Sequence, residues 1–168
     1  MTRFSPYLLV PFLLVVALFQ TTVLPELTVL GIKPELMLLS VLAWSLLRGP
    51  EEGLVWAFLG GLMLDVLSGG PFGASTLALL VVSFFSGLIE PSVARTSFLL
   101  PLGTALAGTL LYQSLFLLVV QLTRGAVPWA DSLFRVTLPS LAINALLMPV
   151  IFRALAWFAQ VGRPETRW

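Results

Sequence analysis

The sequence predicts an all-α integral membrane protein with six transmembrane helices, and three observations carry that reading. The 168 residues are 58% hydrophobic and only 10% charged, whereas a soluble domain needs roughly a quarter of its residues charged. The mean hydropathy is +1.02. The apolar residues form long continuous runs rich in Leu, Val, Ala and Phe, which read as helices. Strands of a membrane barrel would show short alternating segments instead. The polar stretches between runs span only a few residues, so a single transmembrane domain over 1–168 is expected.

Each element follows in turn. Residues 6–23 form the first run, with Arg3 before it. No small-x-small cleavage site follows and further spans do, so a retained first helix is expected rather than a signal peptide. Pro25 and GIKP at 31–34 close the first loop. The second run, 35–47, starts after Pro34, which suits a first helical turn. RGPEEG at 48–53 is a polar turn; Glu51 and Glu52 favour the dipole of the next helix start, and Arg48 reads as an interface anchor. The third run covers 53–67, SGGPFG at 68–73 breaks it, and the fourth covers 74–89. After the polar turn at 90–95, the fifth run covers 97–122. Residues 129–138 hold Asp131 and Arg135 four apart, with Trp129, Leu133 and Val136 near the opposite side. That pattern predicts a short amphipathic helix lying in the interface. Pro139 opens the sixth run, to about residue 157, and a polar tail follows.

Six spans put both termini on one side. That side receives Arg3, Arg48, Arg95, Arg163 and Arg167, with Arg153 close to it; the other receives Lys33, Arg124 and Arg135. The excess of basic residues places both termini in the cytoplasm. The second and third runs are short. Roughly fourteen residues reach only about 21 Å against a hydrocarbon core of about 30 Å. Short segments broken by Gly and Pro point to binding sites in transporter folds.

The composition excludes several chemistries. The chain has no histidine and no cysteine, which removes imidazole and thiolate catalysis, disulfides and the usual zinc and iron ligands. No metal or other cofactor is expected. No basic patch suggests nucleic acid.

The polar residues inside the runs are the candidate site. Gly53, Ala57, Gly61 and Asp65 are four apart and share one face of the third helix, and Gly60 widens that groove. Small residues let another helix approach closely, within this chain or from a partner. A carboxylate in a span carries a penalty of roughly 2.5–3.5 kcal/mol, so Asp65 should face protein or water and have a partner. Its roles stay open: reaching interfacial water, capping N–H groups of the loop formed by Ser68, Gly69, Gly70, Pro71, Phe72 and Gly73, locking two helices, or touching a ligand. Asn144, five residues after Pro139, lies at matching depth and is the expected partner. Gln113, Gln121 and Arg135 are alternatives. Pro149 should kink the sixth helix.

Several of these segments together resemble the MreD family of bacterial rod shape-determining membrane proteins. They are PE at 34–35, RGPEEG at 48–53, GGLMLDVLSGGPFG at 60–73, and LP at 138–139 followed by Asn144 and Pro149. Glu35 stands where the family more often has Asp. The resemblance implies a bundle similar to the S components of energy-coupling-factor transporters. It also implies a role in cell-wall elongation and peptidoglycan synthesis: direct binding of MreC, within a wider complex of MreB, RodA and a class B penicillin-binding protein in the inner membrane. A homodimer and contacts with membrane lipid fit the same picture. A non-enzymatic scaffold is the first expectation, since no nucleophile–base pair or phosphate loop exists. The alternative is a small-molecule or lipid-binding transport component, with a pocket around Asp65 and Asn144.

Overall fold

The computed structural model of the chain describes residues 6–24, 34–89, 99–125 and 129–161. The expected turn at 90–95, the polar tail, and the cations Arg3, Lys33, Arg95, Arg163 and Arg167 lie outside those residues. Among the described residues every regular element is a helix. In order they are α1 (Pro6–Leu18), which runs on into a π-turn (Phe19–Val23), α2 (Leu36–Arg48), α3 (Pro50–Ser68), α4 (Ala74–Gly87) and α5 (Leu99–Arg124). Then come a single turn, α6 (Trp129–Ser132), a second π-turn (Leu133–Thr137) and α7 (Leu138–Val161). Helix α5 and the stretch Leu133–Ala159 are long and apolar enough to cross a membrane.

Helix α2 is the central element, buried from Met37 through Leu47. The other helices surround it and present one face inward. On α1, Leu9, Leu13 and Ala17 recur every four residues and are buried, while Val10, Leu14, Val15 and Leu18 point outward and are exposed. Contacts fix the helix directions. Gln20, Glu35, Asp65 and Asn144 bond near the start of α2 or of α4. At the other end, Arg48 Nη2 donates to the Ala159 carbonyl at 3.2 Å. A Cβ on Gly87 would sit 2.7 Å from the backbone nitrogen of Pro50. Helices α2 and α7 therefore run parallel, and α3 and α4 antiparallel.

The Arg48 end is closed by aromatic rings. Trp44 stacks on Trp56 at 4.3 Å between centroids, and Phe12 tilts against Trp56 at 5.5 Å. The Trp44 indole donates to Glu52 Oε2 at 3.2 Å, and the Arg48 guanidinium lies 5.5 Å over the same ring. Arg48 and Glu52, expected as interface and dipole residues, thus also tie α2, α3 and α7 together.

Three expectations need correction. The third helix is not short: it starts at Pro50 and has 19 residues, about 28 Å at 1.5 Å per residue. Pro50 fits its first turn and Glu51 and Glu52 favour the positive end of its dipole. The polar turn is therefore helical from Pro50 on, with Gly49 alone between α2 and α3, and hydropathy alone cut it off. The short helices are α2, with 13 residues, α4, with 14, and α1, with 13 before its π-turn. The separate interfacial helix is also absent. Asp131 and Arg135 do pair, at 3.9 Å and largely exposed, but α6 passes through the π-turn directly into α7. Pro139 has no N–H to place, and the wide turn ahead of it gives its ring room where a break was expected.

Candidate functional site

The stripe on α3 is filled from within the chain. A Cβ on Gly61 would overlap the Thr76 backbone of α4, and one on Gly53 would lie 2.9 Å from Ser83 Oγ. Ser83 in turn bonds Ser45 of α2 at 2.8 Å. A Cβ on Gly60 would lie 2.6 Å from the Met37 sulfur, and Ala57 is fully buried. Small residues here let α2 and α4 close on α3, which is the internal-packing use of such a stripe.

This close approach delivers Asp65 to the start of α4. Asp65 Oδ2 accepts from the backbone N–H of Gly73 at 3.0 Å and of Thr76 at 3.1 Å, and from the Thr76 hydroxyl at 2.6 Å. Oδ1 accepts from the N–H of Ser75 at 2.9 Å. A helix start leaves four N–H groups without intrahelical acceptors, and a negative charge there is favoured by the helix dipole. No side chain caps α4 from its own N-cap position, Gly73; the cap comes from the preceding helix. The break supplies the geometry. Gly69 and Gly73 have φ of +64° and +92°, a region that glycine enters without the Cβ penalty. Pro71 accepts from the Ala74 N–H at 3.1 Å, and Arg124 Nη2, at the end of α5, holds the Gly69 carbonyl at 3.0 Å. Ser68 ends α3 and is exposed, and a Cβ on Gly70 would meet only ordinary contacts.

Asn144 does not bond Asp65. The expected tie between them is corrected by a second buried centre at the start of α2. There Asn144 Oδ1 accepts from the Glu35 N–H at 3.1 Å, and Nδ2 donates to Glu35 Oε2 at 3.3 Å and to Thr109 Oγ1 at 3.1 Å. Gln113 Nε2 donates to Glu35 Oε1 at 3.0 Å. Gln20, from the π-turn after α1, accepts from the Met37 N–H at 2.7 Å. The start of α2 is thus capped by side chains of two other elements. Gln113, expected as a pocket residue and a possible partner for Asp65, belongs to this Glu35 centre. Gln121 and Arg135 do not reach Asp65 either: Gln121 bonds the Trp129 indole, and Arg135 pairs with Asp131.

The two centres meet on α5. The Tyr112 phenol meets the side chain of Ser75, whose N–H binds Asp65, while the adjacent Gln113 faces Glu35. Together they make one polar layer across the bundle. Sequence reasoning noted Glu35 only as a family mark. The available signal was an acid at the start of an apolar run, at the same depth as Asn144.

The layer can cap helices and hold charge, and it offers little to a ligand: both oxygens of Asp65 and both of Glu35 accept from protein donors. Among the described residues no group of three or more acidic side chains gathers to hold a metal ion. Apolar grooves lie elsewhere among the described residues. One, of about 450 Å³, runs between α4 and α5 beside Phe85, Leu100 and Ala107. Another, of about 370 Å³, lies between α1, α2 and α7 beside Phe12, Ser40 and Trp157.

The family model for the rod shape-determining protein MreD matches residues 1–160. No curated protein and no solved structure matches the chain.

Proposed function

The chain belongs to the MreD family of rod shape-determining membrane proteins, and on that premise we propose that it is a non-enzymatic, six-span subunit of the cell-wall elongation complex in the inner membrane. Both termini face the cytoplasm. Its direct partner is MreC, and through it the chain joins MreB, RodA and a class B penicillin-binding protein. The family match over nearly the whole chain carries this reading.

The packing supports a scaffold. Asp65 is taken up by the cap of α4 and Glu35 by the amides of Gln113 and Asn144, and the small-residue stripe is filled by α2 and α4. What remains for a partner is apolar outer surface, such as Leu14 and Val15 on α1 and Leu146 and Val150 on α7, all exposed. Helices in lipid associate by van der Waals fit and not by the hydrophobic effect, so binding should depend on shape and little on salt.

The test is co-purification from detergent-solubilised membranes, combined with crosslinking from single cysteines placed at Leu14, Leu146 and Gly53. Retention of MreC with crosslinks from Leu14 or Leu146 is expected. Retention of an ATPase module or a small molecule in place of MreC would contradict the scaffold. A reporter fused after Trp168 that is active only in the periplasm would contradict the topology.

A further inference from the structure

Glu35 and Asp65 are both acids inside the bundle, but their partners differ in kind. Asp65 accepts from three backbone N–H groups and one hydroxyl. A backbone N–H cannot turn into an acceptor.

Glu35 accepts from two primary amides, Gln113 and Asn144. A primary amide carries a donor and an acceptor on one carbon, and a half-turn exchanges them. The two amides are not equally free to turn. Asn144 is held by two further bonds, to the Glu35 N–H and to Thr109. Gln113 makes a single hydrogen bond among the described residues, at 3.0 Å to Glu35 Oε1, and it is buried beside that half-buried acid. Turning Gln113 therefore breaks only the bond that its own carbonyl can replace.

The charges around Glu35 point the same way. Helix α1 and its π-turn present Gln20; α4 presents Ser75 and has no ionisable residue; α5 presents Thr109, Tyr112 and Gln113; α7 presents Asn144. Helix α3 contributes a second negative charge, Asp65, across Tyr112. Arg48 and Glu52 are at the far end of α2, and the one ion pair among the described residues is Arg135 with Asp131. A proton on Glu35 would remove one of two negative charges from a layer in which no described cation takes part.

We propose that Glu35 is a proton-binding site within the bundle, with Gln113 as the reversible partner that donates to the carboxylate and accepts from the acid. One proton adds to Oε1, no covalent bond breaks, and the Gln113 amide turns over. Asn144 keeps its orientation, so the cap on α2 survives in both states. The site holds whether or not MreC is the chain's partner.

The test is pH-difference infrared spectroscopy on the full chain in lipid vesicles, grown with carboxyl-labelled glutamate or with labelled aspartate. A protonated-carboxyl C=O band should grow on acidification and shift with labelled glutamate only. In Glu35→Asp that band should pass to the aspartate label, which separates it from the other glutamates. Gln113→Leu should raise its midpoint by about one pH unit, a tenfold gain in proton affinity, because the bond donated to the charged carboxylate is stronger than the one accepted from the neutral acid. Absence of the band, its assignment to aspartate in the parent, or its loss on adding sodium at fixed pH would overturn the proposal. Should Glu35→Asp not fold, an unmoved midpoint in Gln113→Leu would overturn it alone.

Discussion

At the start of α4 the capping carboxylate reaches across from the helix before it, eight to eleven residues away in sequence. At the start of α2 the carboxylate belongs to the N-cap residue itself, and it caps nothing there. The cap of α2 is made by amides: Gln20 for Met37, and Asn144, 109 residues away, for Glu35. The difference separates a local weld from a long-range one. Asp65 joins two neighbouring helices through fixed backbone donors. Glu35 is the meeting point of α2, α5 and α7 through side chains that can rearrange. In lipid both devices answer the same need, because unpaired backbone polar groups cost several kcal/mol there.

Breaking the local weld should have the largest effect. Asp65→Leu leaves the N–H groups of Gly73, Ser75 and Thr76 without their acceptor, each a loss of about 1–3 kcal/mol when buried. The expected outcome is loss of folded protein, or a collapse of the detergent melting temperature. Asp65→Asn can keep an oxygen at the Oδ2 position, where three of the four bonds converge, and should lose only about 1–2 kcal/mol.

Close approach comes next. Gly61→Ala drives a Cβ into the Thr76 backbone, which cannot move without separating α3 from α4 and lifting Thr76 off Asp65. A loss of about 1–3 kcal/mol is expected. Gly60→Ala meets the flexible end of Met37 instead and should lose less than about 1 kcal/mol. Thermal unfolding of the two variants side by side checks whether backbone contact sets the difference.

The long-range weld should yield less to single changes. Gln113→Leu removes one hydrogen bond to Glu35 and should lower stability by about 0.5–1.5 kcal/mol, the net worth of a single hydrogen bond. At the bottom of the scale, Arg135→Ala removes an exposed pair and should leave the melting temperature unchanged within error.

Much of this arrangement was legible in the sequence where the partners are close along the chain. Asp65 lies three residues before the break, and a short acid beside a glycine-rich turn is a capping signal; in the structure it meets one loop N–H, Gly73, and otherwise the start of α4, at Ser75 and Thr76. The small stripe at Gly53, Ala57 and Gly61 was legible from spacing alone, though not which helices fill it. Depth counting from Pro139 placed Asn144 at the correct level, but two acids share that level. The sequence could not rank Glu35 against Asp65, because the choice depends on which helices lie beside α7. The start of α3 was misplaced because Pro50, Glu51 and Glu52 lower hydropathy while favouring a helix start. The π-turn that joins α6 to α7 had no sequence signal beyond Pro139.

The independence of the two welds is the claim that one measurement tests most directly. Two double-mutant cycles share Asn144→Leu, one with Glu35→Gln and one with Asp65→Asn, each followed by unfolding of the detergent-purified chain. Asn144 shares two hydrogen bonds with Glu35 and none with Asp65 among the described residues. The Glu35 cycle should therefore show a coupling of about 1 kcal/mol or more, and the Asp65 cycle should be additive within about 0.5 kcal/mol. Strong coupling of Asn144 to Asp65, with additivity at Glu35, would contradict the account.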